Sequence, residues 1–239
     1  MAEGGEIVAN ALAAGVPIEG VYVSTDHGHD PEVAAIRTMA ADAGVRVQEL
    51  GPGVIDRVAD TVTPQPVLAV LPLPMRGLET LEGARTAVVC AGVRDPGNAG
   101  TVVRCADASG VDTVVFCDNA VDPYNPKAVR SSAGSIFHVP VVVSEPAQEV
   151  LTALARCGLR RLGAIAHGGQ DYATVDWSVP SAVVLGNEAA GLGSDILSCL
   201  DGSVTVPMSG RAESLNVGMA CAVLCFEAQR QRRVAEGSG

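Results

Sequence analysis

Short β-branched runs recur between stretches of helical periodicity, and this alternation constrains the fold more than any other feature of the chain. Strands are expected over residues 21–23, 45–47, 67–71, 87–91, 113–116, 139–143, 162–166, 182–185 and 204–206. Between them, Ile7, Val8, Ala11 and Leu12 share one helix face that Gly15 and Pro17 close. Further helices are expected over 31–44 (opened by Asp30), 54–59, 98–109, 126–132 and 147–156, with a long one over 214–232. Strands alternating with helices build α/β layers around a parallel sheet. Apolar residues make up 48% of the 239, with mean hydropathy +0.28, which is enough to bury a core.

Two prolines and a glycine fall within residues 72–77, a composition that marks a boundary. The expected organisation is a small α/β domain over 1–74, a linker over 75–83, a larger domain over 84–233 and a tail over 234–239. No apolar run approaches the roughly 18 residues of a membrane span, the longest lying near residues 219–226. The amino terminus carries neither a basic segment nor an apolar one of the secretory kind, so a cytoplasmic protein is expected.

Charge points away from a polyanion binder. The formal net charge is −11, of which residues 1–80 contribute −7. Only seven residues are aromatic, which disfavours a base-stacking platform. The positive residues are nearly all arginine, however, with Lys127 the single lysine, and arginine suits bidentate phosphate contacts. The seven cysteines form no CxxC pair and read as buried thiols. His27 and His29 lack a third ligand nearby, so no metal is expected.

Chemistry-bearing residues gather at three strand ends. The first is Asp95-Pro96-Gly97-Asn98, a turn ahead of an apolar helix that carries Arg104 about two turns on. The second is Leu185-Gly186-Asn187-Glu188-Ala189-Ala190-Gly191-Leu192, where a buried strand enters a small-residue turn bearing one carboxylate. The third runs from Val206-Pro207-Met208 through Arg211 to Glu213-Ser214-Leu215-Asn216 at a helix start. Taken singly, Asn98 also fits a helix cap, Arg104 a solvated residue and Glu188 a turn residue. No G-x-G-x-x-G follows a strand and no G-x-x-x-x-G-K-[ST] occurs, which disfavours a nucleotide-binding oxidoreductase or a P-loop NTPase.

In order and spacing, the three segments resemble the three motifs of the SpoU (TrmH) family of RNA ribose 2′-O-methyltransferases in the SPOUT superfamily. The segment from Val121 to Pro140, with Lys127 and Arg130, is also similar to the family, and the likeness is dense over residues 84–232. Residues 1–74 resemble, more loosely, the L30e-like substrate-binding domain of many members. Glu3-Gly4 falls near that domain's usual opening, without the basic segment that commonly precedes it.

The resemblance implies a parallel-sheet SPOUT domain tied in a deep trefoil knot, S-adenosyl-L-methionine as cofactor and a homodimer with its RNA site across the interface. It assigns the cofactor to Gly186, Val206 and Leu215, with Leu185 and Met208 beside them. Gly186 is expected to let backbone approach the ligand closely. Arg104 becomes the group acting on the ribose 2′-hydroxyl, as a base or as an electrostatic and orienting group. Asn98, Glu188, Ser214 and Asn216 take positioning roles, and Arg94, Lys127, Arg130 and Arg211 contact RNA. The implied substrate is 23S rRNA, with tRNA the alternative within the class. A non-catalytic RNA- or ribosome-binding module is the alternative outside it.

Overall fold

The computed structural model describes residues 1–59 and 63–237. These form two compact units, Met1–Pro74 and Met75–Gly239.

The first unit is built from β1 (Ala2–Glu3), α1 (Gly5–Ala13), β2 (Gly20–Ser24), α2 (Pro31–Asp42), β3 (Val47–Leu50), α3 (Ile55–Val58) and β4 (Val67–Val70). Its sheet has the order β1-β4-β2-β3, antiparallel except for the β2–β3 pair. Val8, Leu12, Val33 and Ile36 cover Val21, Val23, Val67 and Ala69 of the sheet. β3 starts two residues later than the apolar run suggests. Val45 is used instead to end α2, its N–H bonding Ala40 O at 2.8 Å while Gly44, at φ +69°, bonds Ala41 O at 3.0 Å. This paired closure needs a left-handed residue, which glycine supplies without strain.

The second unit comprises β5 (Thr86–Ala91), α4 (Pro96–Ala108), β6 (Thr113–Cys117), α5 (Pro126–Ser131), β7 (Val141–Val143), α6 (Ala147–Arg156), β8 (Arg160–Ala164), β9 (Gln170–Asp171), β10 (Ser181–Leu185), α7 (Ser194–Leu197), β11 (Gly202–Thr205) and α8 (Val217–Glu236). Every strand pairing is parallel, in the order β7-β6-β5-β10-β8-β11-β9. Strands β5, β6 and β10 are buried along their whole length, which explains why each is apolar after its first residue. Val89, Val115, Leu151, Leu154 and Val184 sit at the centre of the core, and each such side chain stabilises the fold by about 1.5–3 kcal/mol. The chain steps outward from β5 through β6 to β7, then returns to build the other half of the sheet. The switch lies at the β5–β10 pair, and crevices at the carboxyl ends of such strands bind ligands.

Several boundaries differ from the periodicity for identifiable reasons. β7 begins at Val141 because Pro140 has no N–H and Val139 N–H closes a turn onto Ser135 O at 3.1 Å. α8 begins at Val217, so Glu213 and Ser214 lie on the loop ahead of it and Asn216 caps it. The same helix continues to Glu236, through residues assigned to a tail, while 238 and 239 lie outside the described residues. Four cysteines (90, 117, 221 and 225) are buried and the other three half-buried. Burial, with Glu145 and Asp118 nearby, pushes the Cys117 thiol up to about 12. Among the described residues no helix is long and apolar enough to cross a membrane.

Candidate active site

The residue that starts α4 is Asp95, not Asn98. Its carboxylate accepts from Asn98 N at 2.9 Å, and Pro96 stands in the first turn. That bond and the Lys127 ammonium hold the Asp95 carboxyl below the usual range. With the cap supplied elsewhere, the Asn98 side chain is released to point off the helix.

It joins the other two strand-end segments. Asn98 Nδ2 donates to Glu188 Oε1 at 2.9 Å, and Asn98 Oδ1 accepts from Asn216 Nδ2 at 2.9 Å. Asn216 in turn accepts from Gly218 N at 2.9 Å, as the cap of α8. Glu188 also accepts from the backbone N–H of Arg94 at 3.2 Å and of Asp95 at 3.1 Å. Partial burial raises the Glu188 pKa, but these donors outweigh it and hold the carboxyl below its ordinary value. Glu188 is therefore an ionised, multiply bonded anchor and a poor proton acceptor at neutral pH.

The turn that presents Glu188 depends on two residues. Asn187, which motif reading passed over, donates from Nδ2 to Gly92 O at 2.9 Å and accepts from Ala189 N and Ala190 N at 3.0 Å each. An asparagine just after a strand and before small residues is the local signal for such a turn. The other is Gly186. A Cβ there would strike the backbone of Gly191 and come within 2.6 Å of Leu192 N. The glycine is thus demanded first by the chain's own turn, a different reason from the ligand approach expected of it.

A cavity of about 650 Å³ opens over these groups. Asn98, Glu188, Ser214 and Asn216 line it together with Leu185, Gly186, Val206, Met208 and Leu215. Among the lining residues outside the three motif segments, Ile165 and Ala166, expected in a strand, instead follow the end of β8. Met208, Ser214 and Leu215 of the lining belong to the segment 207–215, whose backbone makes no hydrogen bond among the described residues. Its N–H and C=O groups are available to a ligand. Apolar side chains with free backbone donors and acceptors suit an adenine ring.

Arg104 does not line this cavity. It lies six positions beyond Asn98 on the helix, about 1.7 turns, so the two side chains point roughly 120° apart. Arg104 is exposed and makes no hydrogen bond or ion pair among the described residues. Arg94, Lys127, Arg130 and Arg211 also stand outside the lining. Arg94 adjoins Asp95, which Lys127 Nζ reaches at 3.5 Å; Arg130 follows one turn along α5, and Arg211 sits on the 207–215 loop.

Residues 85–226 match the SpoU rRNA methylase family, and residues 1–75 match the RNA 2′-O ribose methyltransferase substrate-binding domain. The chain belongs to the SpoU rRNA methylase family. It is 37% identical over 185 residues to the 23S rRNA (guanosine(2553)-2′-O)-methyltransferase RlmP of Bacillus subtilis, covering 77% of this chain and 73% of that protein. It is 35% identical over 176 residues to the 23S rRNA (uridine(2479)-2′-O)-methyltransferase of Streptomyces viridochromogenes, covering 71% of this chain and 61% of the relative. Among solved structures, the AdoMet-bound rRNA methyltransferase of Sinorhizobium meliloti superposes with a TM-score of 0.81 at 30% identity, over 95% of this chain and 85% of that one.

Proposed function

We propose that this RNA ribose 2′-O-methyltransferase acts on 23S rRNA, with S-adenosylmethionine held in the cavity between Leu185, Val206, Met208 and Leu215. The observation that carries the reading is the continuous hydrogen-bonded path from Glu188 through Asn98 to Asn216, which brings all three motif segments to one chamber. The volume, the apolar walls and the unpaired backbone of residues 207–215 suit the cofactor. Its sulfonium supplies the methyl group. The 23S assignment is supported by the names of the two relatives and by the substrate-binding domain over residues 1–75.

The chain's own residues divide the work. Glu188, kept ionised, fixes the Arg94–Asp95 backbone and the Asn98 amide. Ser214 lines the cavity with its hydroxyl unbonded among the described residues, free to meet the incoming ribose. Methyl transfer is an in-line displacement, so holding the 2′-oxygen in place supplies much of the acceleration. Arginine is protonated in proteins, so Arg104 serves as a charged donor that stabilises the developing alkoxide and orients phosphate, while the 2′-hydroxyl proton passes to solvent water and the methyl–sulfur bond breaks to leave the neutral thioether.

A homodimer completes this reading. Met219 and Phe226, two turns apart on α8, are 64% and 45% exposed, and α8 packs against the helix that carries Arg104. A second copy laid over this face would bury both apolar side chains and carry Arg104 toward the partner's ribose site. The deep trefoil knot belongs to the same proposal. Residues 165–169 link β8 to β9, which flank β11 on opposite sides.

Incubation with methyl-labelled S-adenosylmethionine and separated rRNA and tRNA fractions tests the substrate. Label confined to 23S rRNA is expected. Label in tRNA alone would move the assignment to the other substrate, and none in any RNA would favour the binding-module reading.

A further inference from the structure

We propose that the Thr205 hydroxyl is a positioning group that sets one wall of the cofactor cavity by pinning both ends of the loop over residues 165–169. The inference rests on the S-adenosylmethionine reading above.

β11 lies between β8 and β9, both parallel to it. Val204 is level with Ala164 on one side and Gln170 on the other. The five residues joining Ala164 to Gln170 therefore arch across the end of β11. Residues 166–168 in the middle of the arch make no backbone hydrogen bond among the described residues. On the β8 side the last backbone contact is Ile165 N to Val204 O at 3.0 Å.

Beyond it the strand's side chain takes over. Thr205 Oγ1 donates to Ile165 O at 3.0 Å and accepts from Gly169 N at 3.0 Å. One hydroxyl thus ties the first and last residues of the arch, using its donor and an acceptor lone pair at once. The fit is close. A Cβ on Gly169 would lie 2.7 Å from Thr205 Oγ1 and 2.8 Å from Val204 C, so the arch rests directly on the strand. Ile165 and Ala166 of the arch line the cavity, as does Val206, the residue after Thr205. The pin accordingly governs how the apolar slot is shaped, without touching Asn98, Glu188 or Asn216.

Such a residue should act on cofactor affinity and not on the chemical step. Thr205→Val keeps the volume but removes both bonds, while Thr205→Ser keeps the oxygen. Calorimetry and steady-state methyl transfer by the full-length protein are the readouts. For Thr205→Val, Kd and KM for S-adenosylmethionine should rise at least about tenfold, or 1.4 kcal/mol, with kcat at saturating cofactor within about threefold of wild type. Thr205→Ser should restore both constants to within about threefold. Unchanged Kd in a folded Thr205→Val protein, or a serine variant as impaired as the valine one, would overturn the proposal. So would a fall in kcat at unchanged KM. If the wild type binds no S-adenosylmethionine, the cofactor reading fails, and the pin is judged by hydrogen exchange at the Gly169 amide. Slow exchange in wild type supports it, and an unprotected amide overturns it. The same measurement decides the matter if the valine variant does not fold.

Discussion

Asn98 Oδ1 accepts a hydrogen bond from Asn216 Nδ2 at 2.9 Å, across 118 residues of sequence. The direction of that bond is set at both ends. Asn216 must turn its oxygen to Gly218 N to cap α8, which leaves its nitrogen for Asn98. Asn98 must turn its nitrogen to the Glu188 carboxylate, which leaves its oxygen for Asn216. Each amide has one orientation that satisfies its neighbours, so the start of α4, the turn after β10 and the start of α8 are held in a single arrangement.

Glu188 gives this arrangement a pH limit. Its folded pKa lies below the ordinary value of 4.5, so its contribution to stability is full above that value and is lost as the pH falls through the folded pKa. The difference in Tm between wild type and Glu188→Gln should be constant from about pH 8 to about pH 5.5 and should shrink below about 4.5. A difference that changes between about pH 6 and 8 would show that Glu188 is not the tightly bonded anion described.

Gly186 is expected to be intolerant of any side chain. In Gly186→Val the new Cβ would lie about 2.5 Å from Gly191 O, so the paired Asn187–Gly191 bonds of 3.0 and 2.9 Å must open. Overpacking of this kind costs roughly 1–3 kcal/mol. Thermal denaturation should show a lowered Tm, and calorimetry a loss of S-adenosylmethionine affinity of about tenfold or more. Unchanged affinity would remove this turn from the cofactor site.

Arg104→Ala separates chemistry from binding. In its proposed role of charged donor at the reacting oxygen, Arg104 should contribute about 10²-fold to kcat, in the range of a lost oxyanion-type donor. Because it does not line its own chain's cavity, cofactor Kd should be unchanged. Single-turnover methyl transfer near the wild-type rate would return Arg104 to an ordinary solvated residue.

The proposed RNA contact calls for cations near the motif segments, where Lys127 and Arg211 stand. Lys127 pairs with Asp95 only at 3.5 Å and in solvent, an interaction weak enough for a phosphate to replace. Lys127→Ala and Arg211→Ala should each weaken RNA binding and lower the slope of log K against log salt by about one. Arg233→Ala, at the end of α8, serves as the control with little change. Equal effects at all three positions would mean diffuse charge, not a local RNA contact.

Local sequence carried most of the strands, because residues such as Val88, Val115 and Val184 are apolar on both faces of a covered sheet. It misled where one residue serves two patterns. Val45 looks like the start of a strand yet closes a helix, Ile165 looks like its end yet forms a cavity wall, and Asn98 looks like a cap yet yields that place to Asp95. The motif segments, recognised by family resemblance, converge on one cavity. What joins them was not legible, since the Asn98–Glu188 and Thr205–Ile165 bonds link residues 90 and 40 positions apart. The two-residue strands β1 and β9 carry no periodicity and exist only because a neighbouring strand is there to pair with.

Alkaline digestion of 23S rRNA labelled by the wild-type protein decides where the transferred methyl group sits. Alkali cleaves RNA through the free 2′-hydroxyl, so a methylated ribose protects the adjoining phosphodiester. The label is expected in an alkali-resistant dinucleotide, and Arg104→Ala should yield little of it. Label recovered in mononucleotides would mean methylation of a base, and would contradict the assignment of this cavity to ribose 2′-O-methyl transfer.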